Sequence, residues 1–275
     1  MNDPLNNIDA DENHYGYDIF QSDNVNIYNS TKFNHLIENY STGNRSKSLS
    51  LFHINIRSIS RNYDNLSASL ATLNHKFDII ALSESWLSDT SLDIYFPEYS
   101  SYHSIRPART GGGTALYVKR HLKSSIINEL CINNNDIECV FAEISHSGGR
   151  VVVGSIYRPP DGNVSVFHDE ICSRLSIINT NFNDTLLCGD LNLDMLKIDL
   201  NSRIAEFYQS MLTFGLIPTI TAPTRIYTNS NGEIAGSLLD NILTSNQTFY
   251  KSGIIELDIT DHNPIFIYTL QQYPS

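Results

Sequence analysis

The feature that most constrains this chain is a succession of short apolar runs of strand length, each tied to a compact polar signature. LSLFHIN leads into Ile56 and Arg57, FDIIALSES closes on Ser85, VVVGSIY runs into RPP, TLLCGD runs into LN, and SLLDNILTS holds an acid between two apolar pairs. TDHNP directly precedes the last run, PIFIYTL. Runs of about four to eight β-branched and aliphatic residues bounded by turn formers read as strands. A strand buries its own middle, so a carboxylate, amide or imidazole at its end is either a turn former or a site residue. Residues placed at several strand ends converge on one rim.

Further strands are predicted over TALYVKR and IECVFAEI, the latter joined to VVVGSIY by the hairpin SHSGGR, and over GIIELDI. YFPEYSSYHSIRPARTGGG, between FDIIALSES and TALYVKR, reads as a loop. Helices are predicted in three places. SRNYDNLSASLATLNHKF repeats Tyr63, Leu66, Leu70 and Leu73 at helical spacing, with Ser60 or Asn62 to cap it. SVFHDEICSRLSIINT places Val166, Ile171, Leu175 and Ile178 near one face, and SRIAEFYQSMLTF stops at Gly215. Strands interspersed with few helices, without regular β-α alternation, predict an α+β fold. Its form is a four-layer α/β/β/α sandwich, two packed mixed sheets flanked by helices.

A chain of 275 residues suits one such unit plus a tail. Residues 1–47 are rich in Asn, Asp, Ser and Tyr and read as a flexible leader, with the folded domain over 48–272. No stretch approaches the roughly 18 apolar residues of a membrane span, and the N-terminus lacks a signal peptide's order, so the chain is expected to be intracellular. The four cysteines show no metal-knuckle spacing and read as reduced thiols. Net charge is −12: seven acids against three bases in residues 1–47, and 23 against 15 in the rest. A protein that coats nucleic acid by charge alone is excluded; an enzyme that concentrates carboxylates around a metal and meets DNA through a local basic rim is not.

The candidate chemistry lies in HIN (53–55), SES (83–85), YRPP (157–160), GDLN (189–192), SLLD (237–240) and TDHNP (260–264). Taken singly, Glu84, Asp190, Asp240 and His262 each have an ordinary structural explanation; their joint occurrence in this order does not. The i, i+2 spacing of Asp190 and Asn192 points both to one side of a strand end. In the long loop, Arg106 and Arg109 beside Tyr102 and His103 are candidates for phosphate contact and stacking.

With these motifs the chain resembles the endonuclease/exonuclease/phosphatase superfamily, which includes apurinic endonucleases, DNase I, sphingomyelinases and inositol polyphosphate phosphatases. The resemblance runs from about Leu49 to Leu270, and GDLN paired with a late DH after Thr is its most specific element. SESWL, YRPP and an SLLDNILTS preceded by PTR look most like the apurinic-type endonuclease domain of non-LTR retrotransposon polyproteins, in which a reverse transcriptase follows. The sequence ends before any such segment, so a fragment or a solitary domain is expected.

The resemblance implies a DNase I-like fold, Mg²⁺ as cofactor with Mn²⁺ also suited, duplex DNA as partner and, on chromosomal DNA, a nuclear site of action. It makes Glu84 the principal metal ligand with Asn55 beside it, and Asp261 a second ligand or site-shaping group. Asp190 positions or deprotonates the attacking water, and Asn192 donates its amide to the phosphate. His262 contacts the phosphoryl oxygen, oriented by Asp240, and the hydroxyl of Tyr157 reaches the scissile phosphate. Arg158 contacts the DNA backbone. A threonine contact is also implied, for which Thr224 and Thr228 both lie in the window; Thr228 is carried forward. The alternatives are a phosphoesterase of the same fold for a phosphoinositide or sphingolipid, or an inactive binding relative, against which the complete set of acids speaks.

Overall fold

The structure is a computed structural model and describes residues 26–41, 48–88, 95–106, 111–146, 149–182, 184–245 and 250–269. In chain order the strands are β1 (Ile27–Tyr28), β2 (Leu49–Asn55), β3 (Ile79–Ser83), β4 (Tyr99–Ser104), β5 (Thr114–Lys119), β6 (Lys123–Ile126), β7 (Ile132–Asn133) and β8 (Glu138–His146). They continue with β9 (Gly149–Tyr157), β10 (Asp184–Asp190), β11 (Ile217–Pro218), β12 (Arg225–Thr228), β13 (Ile234–Ser237), β14 (Asp240–Thr244), β15 (Tyr250–Ile255) and β16 (Ile265–Thr269). The α-helices are α1 (Ser30–Ser41), α2 (Ile59–Thr72), α3 (Val164–Asn181) and α4 (Ser202–Thr213).

One sheet runs β1-β15-β16-β2-β3-β5-β4 and the other β11-β14-β10-β9-β8-β6, with β7 also on β8. Each sheet is mixed for the same reason. β2 and β3 pair in parallel across α2, and β9 and β10 pair in parallel across α3, because a parallel pair needs a crossover long enough to hold a helix. Apart from the short parallel pair of β1 with β15, the remaining pairings, among them the predicted β8–β9 hairpin, are antiparallel.

β2 is buried on both faces, and its two-residue period sorts its side chains between layers. Leu49 and Leu51 join the core between the sheets with Ile79, Ala81, Leu116 and Val118, whereas Phe52 and Ile54 join Ile80, Leu82 and Tyr117 under α1 and α2. On the far side, Phe167, Ile171, Leu175 and Ile178 of α3 and Ile204, Phe207 and Met211 of α4 cover the second sheet. The order of layers is therefore helix, sheet, sheet, helix, as the strand pattern predicts. Gly215 closes α4 with φ 74°, the left-handed cap expected of it.

Four expectations are corrected. The predicted loop after β3 contains β4, which pairs antiparallel with β5 along the sheet edge. In α3, Phe167 and not Val166 faces the core, since 167, 171, 175 and 178 form the continuous stripe. α2 starts at Ile59, and its N-cap residue, Ser58, makes no side-chain cap bond; Asn62 donates instead to the carbonyls of Ile56 and Arg57.

The fourth concerns the leader. Within residues 1–47, residues 26–41 are not a linker. β1 adds to β15 in parallel, with Ile27 opposite Ile254, and α1 buries Phe33 completely. Phe33, Leu36, Ile37 and Tyr40 recur at helical spacing, a signal diluted by the polar residues around it. The cysteines Cys131, Cys139, Cys172 and Cys188 are all free thiols.

Candidate active site

The site is the end row of one sheet facing the end row of the other. In the second sheet, Glu138, Tyr157, Asp190 and Asp240 stand in one register row across β8, β9, β10 and β14. In the first, Asn55 stands opposite Ser83, and Ser83 opposite Thr114. Asn55 continues the side of β2 that carries Leu49, Leu51 and His53, so it points between the sheets. There its Nδ2 donates to Glu84 Oε1 and to Asp190 Oδ2, both at 2.8 Å, and so joins the two rows.

Beyond the strands the chain turns through left-handed backbone: φ is 46° at Arg57, 87° at Ser58, 49° at Glu84 and 46° at Asn192. Such conformations cost on the order of 1–3 kcal/mol each and persist only where the surroundings enforce them. Here Ser58 N donates to Glu84 O, Ile59 N to Ser85 O and Ser85 N to Gly113 O, which locks the two turns to each other. Gly189 of GDLN has a separate reason: a β-carbon there collides with the Ile156 carbonyl of the neighbouring strand, so nothing larger lets β10 lie against β9.

His262 Nδ1 lies 2.8 Å from Asp240 Oδ2, which also accepts from Thr224 Oγ1 at 2.7 Å. Burial alone lowers the affinity of His262 for a proton, but the Asp240 carboxylate outweighs it and raises the imidazole to about 9. Burial raises Asp240, and the imidazolium more than compensates, keeping it below its ordinary value. Asp190 is raised to about 7, first by burial and then by the charge of Asp240, against the opposing effect of His262 and of hydrogen bonds from Asn55 and Asn192. Tyr157 is raised far above the phenol range by burial and by Glu84 and Asp190, so its hydroxyl, bonded to Glu84, stays protonated.

Three side chains, Asp190, Asp240 and His262, bring ligand atoms within 4.8 Å of one another and form the group among the described residues able to hold a metal ion. His262 and Asp240 Oδ2 are spent on each other, yet Asp240 Oδ1 is buried without a hydrogen-bond partner. That orphaned oxygen, together with the Asp190 and Glu84 carboxylates that share Asn55, makes an oxygen-rich donor set of the kind that suits a hard divalent cation.

Most of the residues read from sequence are thus brought together: Asn55, Glu84, Tyr157, Asp190, Asn192, Asp240 and His262. Others stand differently. Arg158 is buried, and its guanidinium is consumed by the carbonyls of Leu191, Gly162 and Asn192, so it props the GDLN turn and is not free for DNA. The turn also redirects Asn192: its amide donates to Arg158 O and Asp190 Oδ2, supporting Asp190 in place of a phosphate. Both carboxylate oxygens of Asp261 face arginines, which makes it site-shaping and not a metal ligand. Thr228 is exposed on β12, and Thr224 is the threonine at the site.

Arg106 is paired with the buried carboxylate of Glu138, and Arg109 lies outside the described residues. Glu138 itself escaped the sequence reading. Burial raises its carboxyl, opposed by the Gly113 amide and Arg106. Its signal was an acid opening an apolar strand, the mirror of the acids that close one.

A two-sheet sandwich with buried carboxylates, an amide, a phenol and a carboxylate-held imidazolium on one rim defines a phosphoesterase of the nuclease and phosphatase class. The chain belongs to the Endonuclease/Exonuclease/phosphatase family, which it matches over residues 52–262. It is 27% identical over 105 residues to the RNA-directed DNA polymerase from mobile element jockey of Drosophila funebris, a span of 38% of this chain and 11% of that protein. Its fold is similar to the endonuclease domain of TRAS1, a telomere-specific non-LTR retrotransposon, with TM-score 0.63 and 15% identity over 82% of this chain and all (100%) of that one. It is also similar to the AP endonuclease LMAP from Leishmania major, with TM-score 0.65 and 15% identity over 85% and 91% of the two chains.

Proposed function

We propose that the protein is a divalent-metal-dependent endonuclease that nicks duplex DNA, and that in the organism it primes reverse transcription by a polymerase carried in the same polyprotein. The observation that carries this reading is the junction at Asn55, where one amide holds Glu84 of one sheet and Asp190 of the other beside the Asp240–His262 pair. The retrotransposon context is supported by the similarity to the jockey polymerase and to the TRAS1 endonuclease domain.

Glu84 with Asn55 beside it would hold the ion, Mg²⁺ or Mn²⁺, which when bound would neutralise charge on the phosphate. Asp190, raised to about 7, accepts the proton of the attacking water near neutral pH. His262 keeps its proton at neutral pH, and with Nδ1 on Asp240 its Nε2 is left to donate to a phosphoryl oxygen as charge develops there. Tyr157 offers a permanent O–H at the same row. Asn192 and Arg158 keep the Asp190 turn in place.

The test is conversion of supercoiled plasmid to open circle with Mg²⁺, run beside an inositol phosphate and sphingomyelin. Nicking is expected, abolished by EDTA and reduced at least about a hundredfold by Glu84→Gln with an unchanged fold. Faster hydrolysis of either small substrate than of plasmid overturns the DNA reading, and full activity in EDTA overturns the metal.

A further inference from the structure

Asp261 sits between two arginines, with Oδ1 2.8 Å from Arg57 Nη1 and Oδ2 2.8 Å from Arg225 Nε. Side-chain exposure is 42% for Arg57, 35% for Arg225 and 28% for Asp261, so the group meets solvent while its neighbours in the site are buried. The backbone fixes where it stands. Arg57 lies two residues past Asn55 in a left-handed turn, and its amide donates to Asn55 Oδ1. Arg225 follows Thr224, bridges to His262 through the main chain and lies over the ring of Tyr227 at 5.8 Å. Asp261 is flanked by Thr260, whose hydroxyl donates to the Asn55 carbonyl, and by His262. The trio therefore spans the mouth of the site, from the Asn55–Glu84 side to the Asp240–His262 side.

Two guanidinium groups against one carboxylate leave a surplus of one positive charge. Each guanidinium has five N–H donors in a planar fork, and Asp261 does not exhaust them. A chain of net charge −12 has no overall field to attract a polyanion and depends on local cations. The basic residues assigned from sequence and described in the structure do not supply them, since Arg158 is spent on carbonyls and Arg106 on Glu138.

We infer that Arg57 and Arg225 form a two-pronged clamp for a phosphate of the DNA backbone beside the scissile one, set in position by Asp261. This rests on the DNA reading above. Asp261 acts through the arginines as a positioning residue, and the arginines bind.

The test uses the full chain. Duplex affinity is measured without metal, in a Glu84→Gln background, by fluorescence anisotropy across a salt series; nicking is measured with Mg²⁺ in the otherwise native protein. Arg57→Gln with Arg225→Gln is expected to weaken duplex binding at least about tenfold and to flatten the log-log salt slope by about one to two, near 0.9 per lost phosphate contact. Asp261→Asn is expected to keep that affinity, because it removes an anion, while kcat falls about tenfold. That fall disappears in the double-glutamine background, as it must for a residue acting through the other two. The Mg²⁺ concentration for half-maximal rate stays where it was.

An unchanged salt slope in the double variant overturns the clamp, and a tenfold shift in Mg²⁺ requirement for Asp261→Asn makes it a ligand and overturns its role. If the glutamine pair melts early, Arg57→Lys with Arg225→Lys decides: the slope is expected to persist with a raised KM, and a native KM overturns the clamp. Native protein that neither binds nor nicks duplex but hydrolyses inositol phosphate sinks the DNA reading and the clamp together; native nicking with an indifferent double variant sinks the clamp alone.

Discussion

Two buried histidines in this site titrate in opposite directions, and the difference is one carboxylate in contact. His53, with Nε2 2.9 Å from Ser83 Oγ, is lowered by burial to about 4 and stays neutral. His262, in contact with Asp240, is raised to about 9. Asp240→Asn removes the largest charge that holds His262 up and leaves burial opposed only by the more distant Asp190 and Asp261 carboxylates. The alkaline limb of kcat/KM is therefore expected to move down from near pH 9, read from a pH–rate profile of nicking; an unmoved limb would show that His262 does not set it.

For His53 the sign runs the other way. Its folded value lies below its unfolded 6.5, so the unfolded chain binds the extra proton between 6.5 and about 4, and its contribution to stability is complete above 6.5 and lost as pH falls through that window. The loss is on the order of 3 kcal/mol, at about 1.4 kcal/mol per unit. Denaturant titrations at pH 7 and pH 4.5 should show native protein losing more stability between the two than His53→Gln does, by about that amount; equal losses would show that His53 does not titrate there.

At the scale of elements, β1 and α1 add a strand and a helix to the first sheet ahead of the predicted domain start. Phe33 packs edge-on against Phe266 at 5.0 Å and beside Phe77 at 5.8 Å, and is fully buried. Deleting such a ring costs about 3–5 kcal/mol. Phe33→Ala is thus expected to lower the melting temperature by several degrees, as is removal of residues 1–41; an unchanged melting temperature in both would return the segment to the status of a linker.

The helical spacing of Phe33, Leu36 and Ile37 was present in the sequence, but three apolar residues in a polar stretch also fit a loop. Only the sheet edge at β15 shows what they cover. β4 was hidden for a related reason. YSSYHS has no apolar alternation, because as an edge strand it takes its stability from the ladder to β5.

Across the whole molecule, carboxylates from both sheets are gathered into one buried rim, and their mutual repulsion is held by Asn55, His262 and the surrounding amides. A divalent ion that binds only the folded chain adds stability by mass action, about 2.7 kcal/mol at a hundredfold excess over its dissociation constant. Saturating Mg²⁺ should raise the melting temperature by a few degrees, with no rise in Glu84→Gln. A rise of equal size in that variant would place the ion elsewhere.

The alternation of apolar runs with polar ends was enough, by itself, to determine the class of fold and to place short polar signatures at strand ends; the family resemblance that those signatures carry then singled out Asn55, Glu84, Tyr157, Asp190, Asp240 and His262 among them. Burial demands leave few other uses for acids, amides and imidazoles in those positions. What the sequence could not determine was which neighbour each polar group meets. Arg158 and Arg57 look alike as basic residues after a strand, yet one meets three carbonyls and the other a carboxylate at the site's mouth. Thr224 and Thr228 are one turn of sequence apart, and only the path of β12 beside His262 sets the first on Asp240 and the second in solvent. Glu138 joins the row from a strand start because β8 runs antiparallel to β9. Strand ends are a local property of the chain, whereas register, direction and sheet-to-sheet packing are pairings between distant segments, and a hydrogen bond or ion pair acts only at the distance those pairings set.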